Sequence, residues 1–211
     1  MRIELFHDTV CPWCRIGKQN MLTALSEWTG EPVELSIRAY MLDASIPVEG
    51  LPFKETMQKK FGGQVDLSQV FSQVTEAGKG AGLAFDFDKV GFMPNTRMSH
   101  RLIAIVPQES KLSMLEAINK AYFEDGRDIG SLEVLLELAQ ETGIETAGLR
   151  ERLTGGEGEE EVAQDLAYGH DVGITGVPFF IIDGKYALTG AQPPSVFTQV
   201  LQKIAEEKSN G

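Results

Sequence analysis

Two periodicities take turns along this chain. Residues 2–6 alternate polar and apolar side chains, the period of a strand. A short loop at 7–10 leads to Pro12, which suits the first turn of a helix because no intrahelical bond needs its missing N–H. Ile16, Met21, Leu22, Leu25 and Trp28 then recur at helical spacing, predicting a helix over 12–28 that Thr29-Gly30-Glu31-Pro32 stops. Alternation returns at 33–40, predicting a second strand, parallel to the first by the right-handed β-α-β rule.

From residue 51 to 168 the pattern is almost wholly helical, with helices predicted over 52–61, 67–79, 96–106, 112–123, 131–141 and about 158–168. Residues 85–88, Phe-Asp-Phe-Asp, read as a short extended piece. Asn95 or Thr96 suits a helix cap, and Glu133 and Glu159 to Glu161 suit the positive ends of their helices. Residues 177–182 form an apolar strand run, Asp183-Gly184 a hairpin turn, 186–188 its partner strand, and 193–206 a closing helix. The expected fold class is α/β: β-α-β, then an all-helical insertion, then β-β-α. The expected division is one domain from 1–50 and 169–211, and a helical domain at 51–168.

Composition narrows the functional classes. The chain has 211 residues, enough for one enlarged domain or a domain carrying an insertion. No apolar run approaches the roughly 20 residues that cross a bilayer. The first residues lack a basic segment, an apolar stretch and a cleavage site, so a cytoplasmic location is expected, with no membrane partner. A net charge of -12 repels a phosphate backbone and argues against nucleic acid as a partner.

The only two cysteines sit in Cys11-Pro12-Trp13-Cys14. So small a ring does little to staple a fold, because loop-closure stabilisation grows with loop length. The pair therefore reads as chemical. A thiolate is the attacking species in disulfide exchange, and a helix N-terminus favours it through unpaired N–H groups and the helix dipole. Cys11 stands at that position as nucleophile. Cys14, one turn on, is the resolving thiol, and Pro12 and Trp13 shape and cover the site. The competing reading is half a zinc site completed by His7, His100 or His170. The strand-loop-helix context favours redox chemistry and leaves no metal expected, with His7 as a loop residue or a modulator of ionisation.

The stretch from Asp8 to Cys14, followed by Ile16-Gly17, resembles the DsbA-family oxidoreductases of the FrnE type. So do Pro94-Asn95-Thr96-Arg97-Met98-Ser99-His100-Arg101-Leu102, Gly173-Ile174-Thr175-Gly176-Val177-Pro178-Phe179-Phe180 and Gly190-Ala191-Gln192. The resemblance spans nearly the whole chain. It implies a thioredoxin-like fold interrupted by the helical domain, and disulfide oxidoreductase activity. It also implies a cis bond at Val177–Pro178, turning the Val177 backbone toward Cys11 so that a substrate peptide pairs there as an added strand. Two departures stand out. Arg15 follows the second cysteine where relatives often carry an aromatic residue, and it serves either to favour a thiolate or as a solvated surface residue. Leu5 occupies the place of a buried acid that aids proton transfer, leaving that role to Asp8 or water, unless Asp8 shapes the loop.

The expected substrates are proteins, peptides or small thiols bearing disulfides. Val177, Pro178, His100 and Asn95 are the expected substrate-binding residues, with Thr96 and Arg97 beside them. Asn95 and Thr96 serve equally as caps and His100 as an ordinary helix residue. Met41, Phe92 and Met93 are expected either in an apolar cleft or in the core. No cofactor is implied beyond the cysteine pair, with glutathione as a candidate co-substrate. The alternative enzyme class, on the same likeness of fold, is a glutathione-dependent isomerase or transferase of the 2-hydroxychromene-2-carboxylate isomerase or kappa type, which needs only one such side chain. A third class is a peptide-binding chaperone that needs neither cysteine.

Overall fold

The computed structural model describes residues 1–63 and 65–210. The chain opens with β1 (Arg2–His7), α1 (Pro12–Ser26) and β2 (Glu34–Ala39). β1 and β2 are parallel, in register from Arg2 opposite Glu34 to His7 opposite Ala39. A two-residue strand, β3 (Leu51–Pro52), precedes α2 (Phe53–Lys60) and α3 (Leu67–Gly80). β4 (Phe92–Met93) returns to pair with β3, and α4 (Arg97–Ile105), α5 (Lys111–Phe123), α6 (Leu132–Glu141), α7 (Leu149–Thr154) and α8 (Glu159–Asp171) follow. β5 (Phe179–Ile182), β6 (Tyr186–Thr189) and α9 (Pro194–Asn210) complete the chain. The main sheet has the order β2-β1-β5-β6, with β5 antiparallel to both of its neighbours.

Alternation along the strands decides what each face of this sheet meets. Ile3, Leu5, Phe180 and Ile182 are buried against Met21 and Ala24 of α1 and Phe197, Leu201 and Ile204 of α9. On the opposite face α8 supplies the cover. Tyr168 lies 5.5 Å from Phe6, ring to ring, and Arg38 of β2 bridges the buried Glu4 and Asp165 of α8 at 2.8 and 2.9 Å. The helices between β2 and β5 enclose an apolar cluster of their own, built around Leu102, Met114, Ile118, Leu135 and Leu138, and Ile16 of α1 joins it.

Several local expectations change. Residues 85–88 form no strand. Their alternation arises because Phe85 and Phe87 both turn into an aromatic stack, 5.8 Å apart, while the Asp86 N–H donates to the Phe123 carbonyl at 2.7 Å. The short strand pair of this region is instead Leu51 and Pro52 against Met93 and Phe92. A six-residue helix, α7, stands where none was expected, and Leu149 and Leu153, one turn apart, are its buried anchors. The cap bond before α4 comes from Asn95, whose Oδ1 accepts from the Arg97 N–H at 3.0 Å, while Thr96 makes none.

One glycine fixes how closely α1 approaches the loop before β5. A Cβ on Gly17 would lie 2.9 Å from Cγ of Pro178 and 3.3 Å from Cα of Ala191. Only a residue without a side chain lets the helix carrying both cysteines lie so near that loop.

Candidate active site

Cys11 is the N-cap of α1, in extended conformation at φ -93° and ψ 110°. Its N–H donates to the Asp8 carbonyl at 3.0 Å, and its Sγ accepts from the Cys14 N–H at 3.3 Å. The helix thus directs at the sulfur a backbone donor that it shares with the Cys11 carbonyl at 3.1 Å, and no acidic side chain in the first turn opposes a negative charge there. Both cysteines are free thiols and buried. Burial, reinforced by Cys11, pushes the Cys14 thiol well above its ordinary value, so Cys14 rests as a protonated thiol.

The Val177–Pro178 peptide is cis, and Cys11 Sγ donates to the Val177 carbonyl at 3.7 Å. Cys11, Pro12, Trp13 and Val177 share the wall of a cavity of about 240 Å³ with residues of α2 and α3. Phe53, Met57, Phe71, Val74, Phe87 and Phe123 make its interior mostly apolar, with Asp8, Asp43 and Lys60 as charged lining residues. Trp13 is 42 % exposed and Leu42 39 %, an apolar surface beside Cys11.

The other candidate substrate contacts are placed elsewhere. Asn95 donates to the Ile46 carbonyl at 2.6 Å as well as capping α4, and it does not line the cavity; Pro94 and Thr96 on either side do. Arg97 pairs with Glu159 of α8. His100 is buried behind the cavity, its Nε2 3.4 Å from Asp8 Oδ1 and its ring 5.1 Å from that of His7. Helical phase explains this: His100 falls on the inner side of α4, with Ser99 and Ile103. Of the apolar candidates Met93 lines the cavity, Phe92 is exposed, and Leu42 takes the place expected of Met41. His170 is exposed, and among the described residues no group of three or more His, Cys, Asp or Glu side chains is gathered as a metal site.

Arg15 is not a solvated surface residue. It is buried between α1 and α5, donating to Glu116 and Glu124 at 2.6 Å each and to the Ala84 carbonyl at 2.9 Å. Lys18, one turn on, is buried too and pairs with the other oxygen of Glu116. Burial lowers the Lys18 ammonium although Glu116 pulls it up; Glu116, against its own desolvation, is held low by Lys18 and Arg15. Two lysine or arginine side chains on an otherwise apolar helix face, at positions i and i+3, were the signal for this network. Asp8 shapes the loop after β1: its Oδ2 accepts from the Leu42 N–H at 2.7 Å.

Known proteins share this architecture. A solved Streptomyces coelicolor structure assigned as a DsbA oxidoreductase superposes with a TM-score of 0.88 at 29 % identity, covering 96 % of this chain and 89 % of its own. The cytosolic disulfide reductase DsbM of Pseudomonas aeruginosa, solved with GSH, gives 0.68 at 18 % identity over 98 % and 100 % of the two chains. A 2-hydroxychromene-2-carboxylate isomerase gives 0.73 at 11 % identity over 100 % and 98 %. The last two are likenesses of fold. Residues 2–202 match the family described as the DSBA-like thioredoxin domain, and the chain belongs to that family.

Proposed function

We propose that this protein is a cytoplasmic thiol–disulfide oxidoreductase that exchanges the Cys11–Cys14 pair with disulfides of proteins, peptides or small thiols. The observation that carries the reading is the pairing of two unlike sulfurs. Cys11 sits at a helix N-terminus with a backbone donor on its sulfur, and Cys14 is held protonated by burial one turn behind. Such a pair suits a nucleophile followed by a resolving thiol. In the reducing direction the Cys11 thiolate attacks a substrate disulfide and expels one thiolate. Cys14 then attacks Cys11 Sγ and expels the second, leaving the pair oxidised and the substrate reduced by two electrons. The half-buried Val177, whose carbonyl faces Cys11, and the apolar cavity beside it favour an extended peptide with a bulky apolar side chain near its cysteine. Reduced protein is expected to speed the reduction of insulin, or oxidised protein the refolding of a reduced test protein; no effect of Cys11→Ser on either activity rejects the reading.

The apolar cavity also supports a second reading, a glutathione-dependent isomerase or transferase acting on an apolar small molecule held beside the Cys11 thiolate. That chemistry has no use for Cys14. Glutathione-dependent turnover of such a substrate by Cys14→Ser at the wild-type rate would favour it over disulfide exchange.

A further inference from the structure

The resolving step poses a problem of protons. Cys14 is a buried thiol and must lose its proton to attack Cys11 Sγ. The buried titratable groups near it are Lys18, tied to Glu116, and Asp8, with His100 and His7 beyond Asp8; none of the four is more than 2 % exposed. Among the described residues the buried side-chain polar atoms with no hydrogen-bond partner are Asp8 Oδ1, His100 Nε2 and both nitrogens of His7, and, at the other end of β1, Asp183 Oδ2, which faces Lys208 at 2.7 Å. Buried polar groups are nearly always paired, so unpaired ones gathered in a single line call for a reason. Asp8 borders the cavity that holds Cys11. His100 and His7 border a different one, a polar cavity of about 130 Å³ between β2, α4 and α8 that has room for water. The three side chains thus run through the protein from the thiols to its other side, with 3.4 Å between Asp8 Oδ1 and His100 Nε2.

We propose that Asp8, His100 and His7 form a proton relay that takes the proton from Cys14 as it resolves the mixed disulfide and passes it to water in the second cavity. This rests on the disulfide-exchange reading. In the step, the Cys14 S–H proton goes to the Asp8 carboxylate, and Asp8 passes it to His100 Nε2. His100 and His7, both lining the second cavity, release it there. The Cys14 sulfur forms its bond to Cys11 Sγ as the Cys11–substrate S–S bond breaks, and the departing thiolate takes a proton from solvent. The reverse reaction returns a proton to Cys14 by the same route. Burial, with His100 and Lys18, keeps His7 well below its usual range, so it rests as a neutral imidazole. The charged and titratable groups facing the line are Lys18 on α1, Tyr122 and Lys111 on α5, Arg38 on β2, and Glu161 and Asp165 on α8.

The test uses reduced protein and 5,5'-dithiobis(2-nitrobenzoate), which releases one thionitrobenzoate when Cys11 attacks and a second when Cys14 resolves. Asp8→Asn and His100→Gln are expected to slow the second release relative to the first by about tenfold or more at pH 7. Hydroxide should close the gap as the pH rises. Added imidazole should restore the second release in His100→Ala, whose missing ring adjoins the second cavity. Folded variants with the wild-type ratio and pH profile overturn the relay, as does a slowed release that neither imidazole nor alkali restores. If substitution at position 100 prevents folding, His7→Gln reports on the same step. A wild-type protein that releases a single thionitrobenzoate, or a Cys14→Ser variant that releases two, would instead sink the exchange reading itself.

Discussion

Replacing Glu116 by Gln removes the one carboxylate that Lys18 and Arg15 share, with no change of shape. Arg15 keeps Glu124 and the Ala84 carbonyl, whereas Lys18 keeps only Asn119 Oδ1 at 3.4 Å. A buried ammonium stripped of its partner either stays charged at a desolvation penalty or gives up its proton. The second route sets a ceiling: neutralising a lysine of ordinary pKa at pH 7 costs about 4.6 kcal/mol. Glu116 is 40 % exposed at its side chain, so water already weakens the pair, and the expected loss is about 3 kcal/mol at pH 7. The sign of the pH dependence follows from the depressed Lys18. Where the folded state holds a neutral lysine and the unfolded chain a charged one, the unfolded state binds more protons and stability rises with pH up to about 10.4. The loss caused by Glu116→Gln should therefore shrink by about 1–2 kcal/mol between pH 7 and pH 9. Urea denaturation of variant and wild type at both pH values measures it. The added change Lys18→Met should restore stability at pH 7 and abolish the pH dependence, since it removes the unpaired charge. A loss below about 0.5 kcal/mol, or one equal at both pH values, would refute the reasoning.

Gly17→Ala should gain up to about 1 kcal/mol of helix propensity but lose about 1–3 kcal/mol to crowding against Pro178 and Ala191. Thermal denaturation is expected to show a net loss, and insulin reduction a fall larger than that loss alone explains, because the Val177 carbonyl is pushed from Cys11. His7 makes the fold acid-sensitive. Its folded pKa lies well below the unfolded value of about 6.5, so the unfolded state binds the extra proton and stability falls as the pH drops below that value. Between pH 6.5 and 5.5 the His7 share is about 1 kcal/mol, to be read as the part of the wild-type decline that His7→Gln lacks.

Much of this was legible in the residue pattern, for local reasons. Period-2 alternation marked β1 and β2 of the main sheet, and Pro12 after a short loop located the start of α1 and with it the sulfur geometry. What escaped depended on partners far along the chain. Phe85 and Phe87 alternate as a strand does, but the neighbours they answer to, Phe71 and Phe123, lie on α3 and α5. His100 and Asn95 sit in the expected segment, yet the register of α4 turned one inward and the cap bond occupied the other. Arg15 carried two readings and Lys18 none, because the acid that pairs with both, about a hundred residues away, cannot be inferred from spacing. The apolar cavity was foreshadowed only by Phe53, Met57, Phe71 and Val74, ordinary core spacing until α2 and α3 are seen to leave a gap at the thiols.

The clamp of Arg38 between Glu4 and Asp165 changes what the inserted helices are for. α8 is the last of them, and it roofs the sheet face that α1 and α9 leave bare. The strands therefore owe one of their two coverings to the very segment that interrupts them. A length change between residues 51 and 158 therefore reaches the sheet through how α8 settles on Phe6 and Arg38, and through Gln108, whose side chain donates to the Leu35 carbonyl of β2 at 3.0 Å.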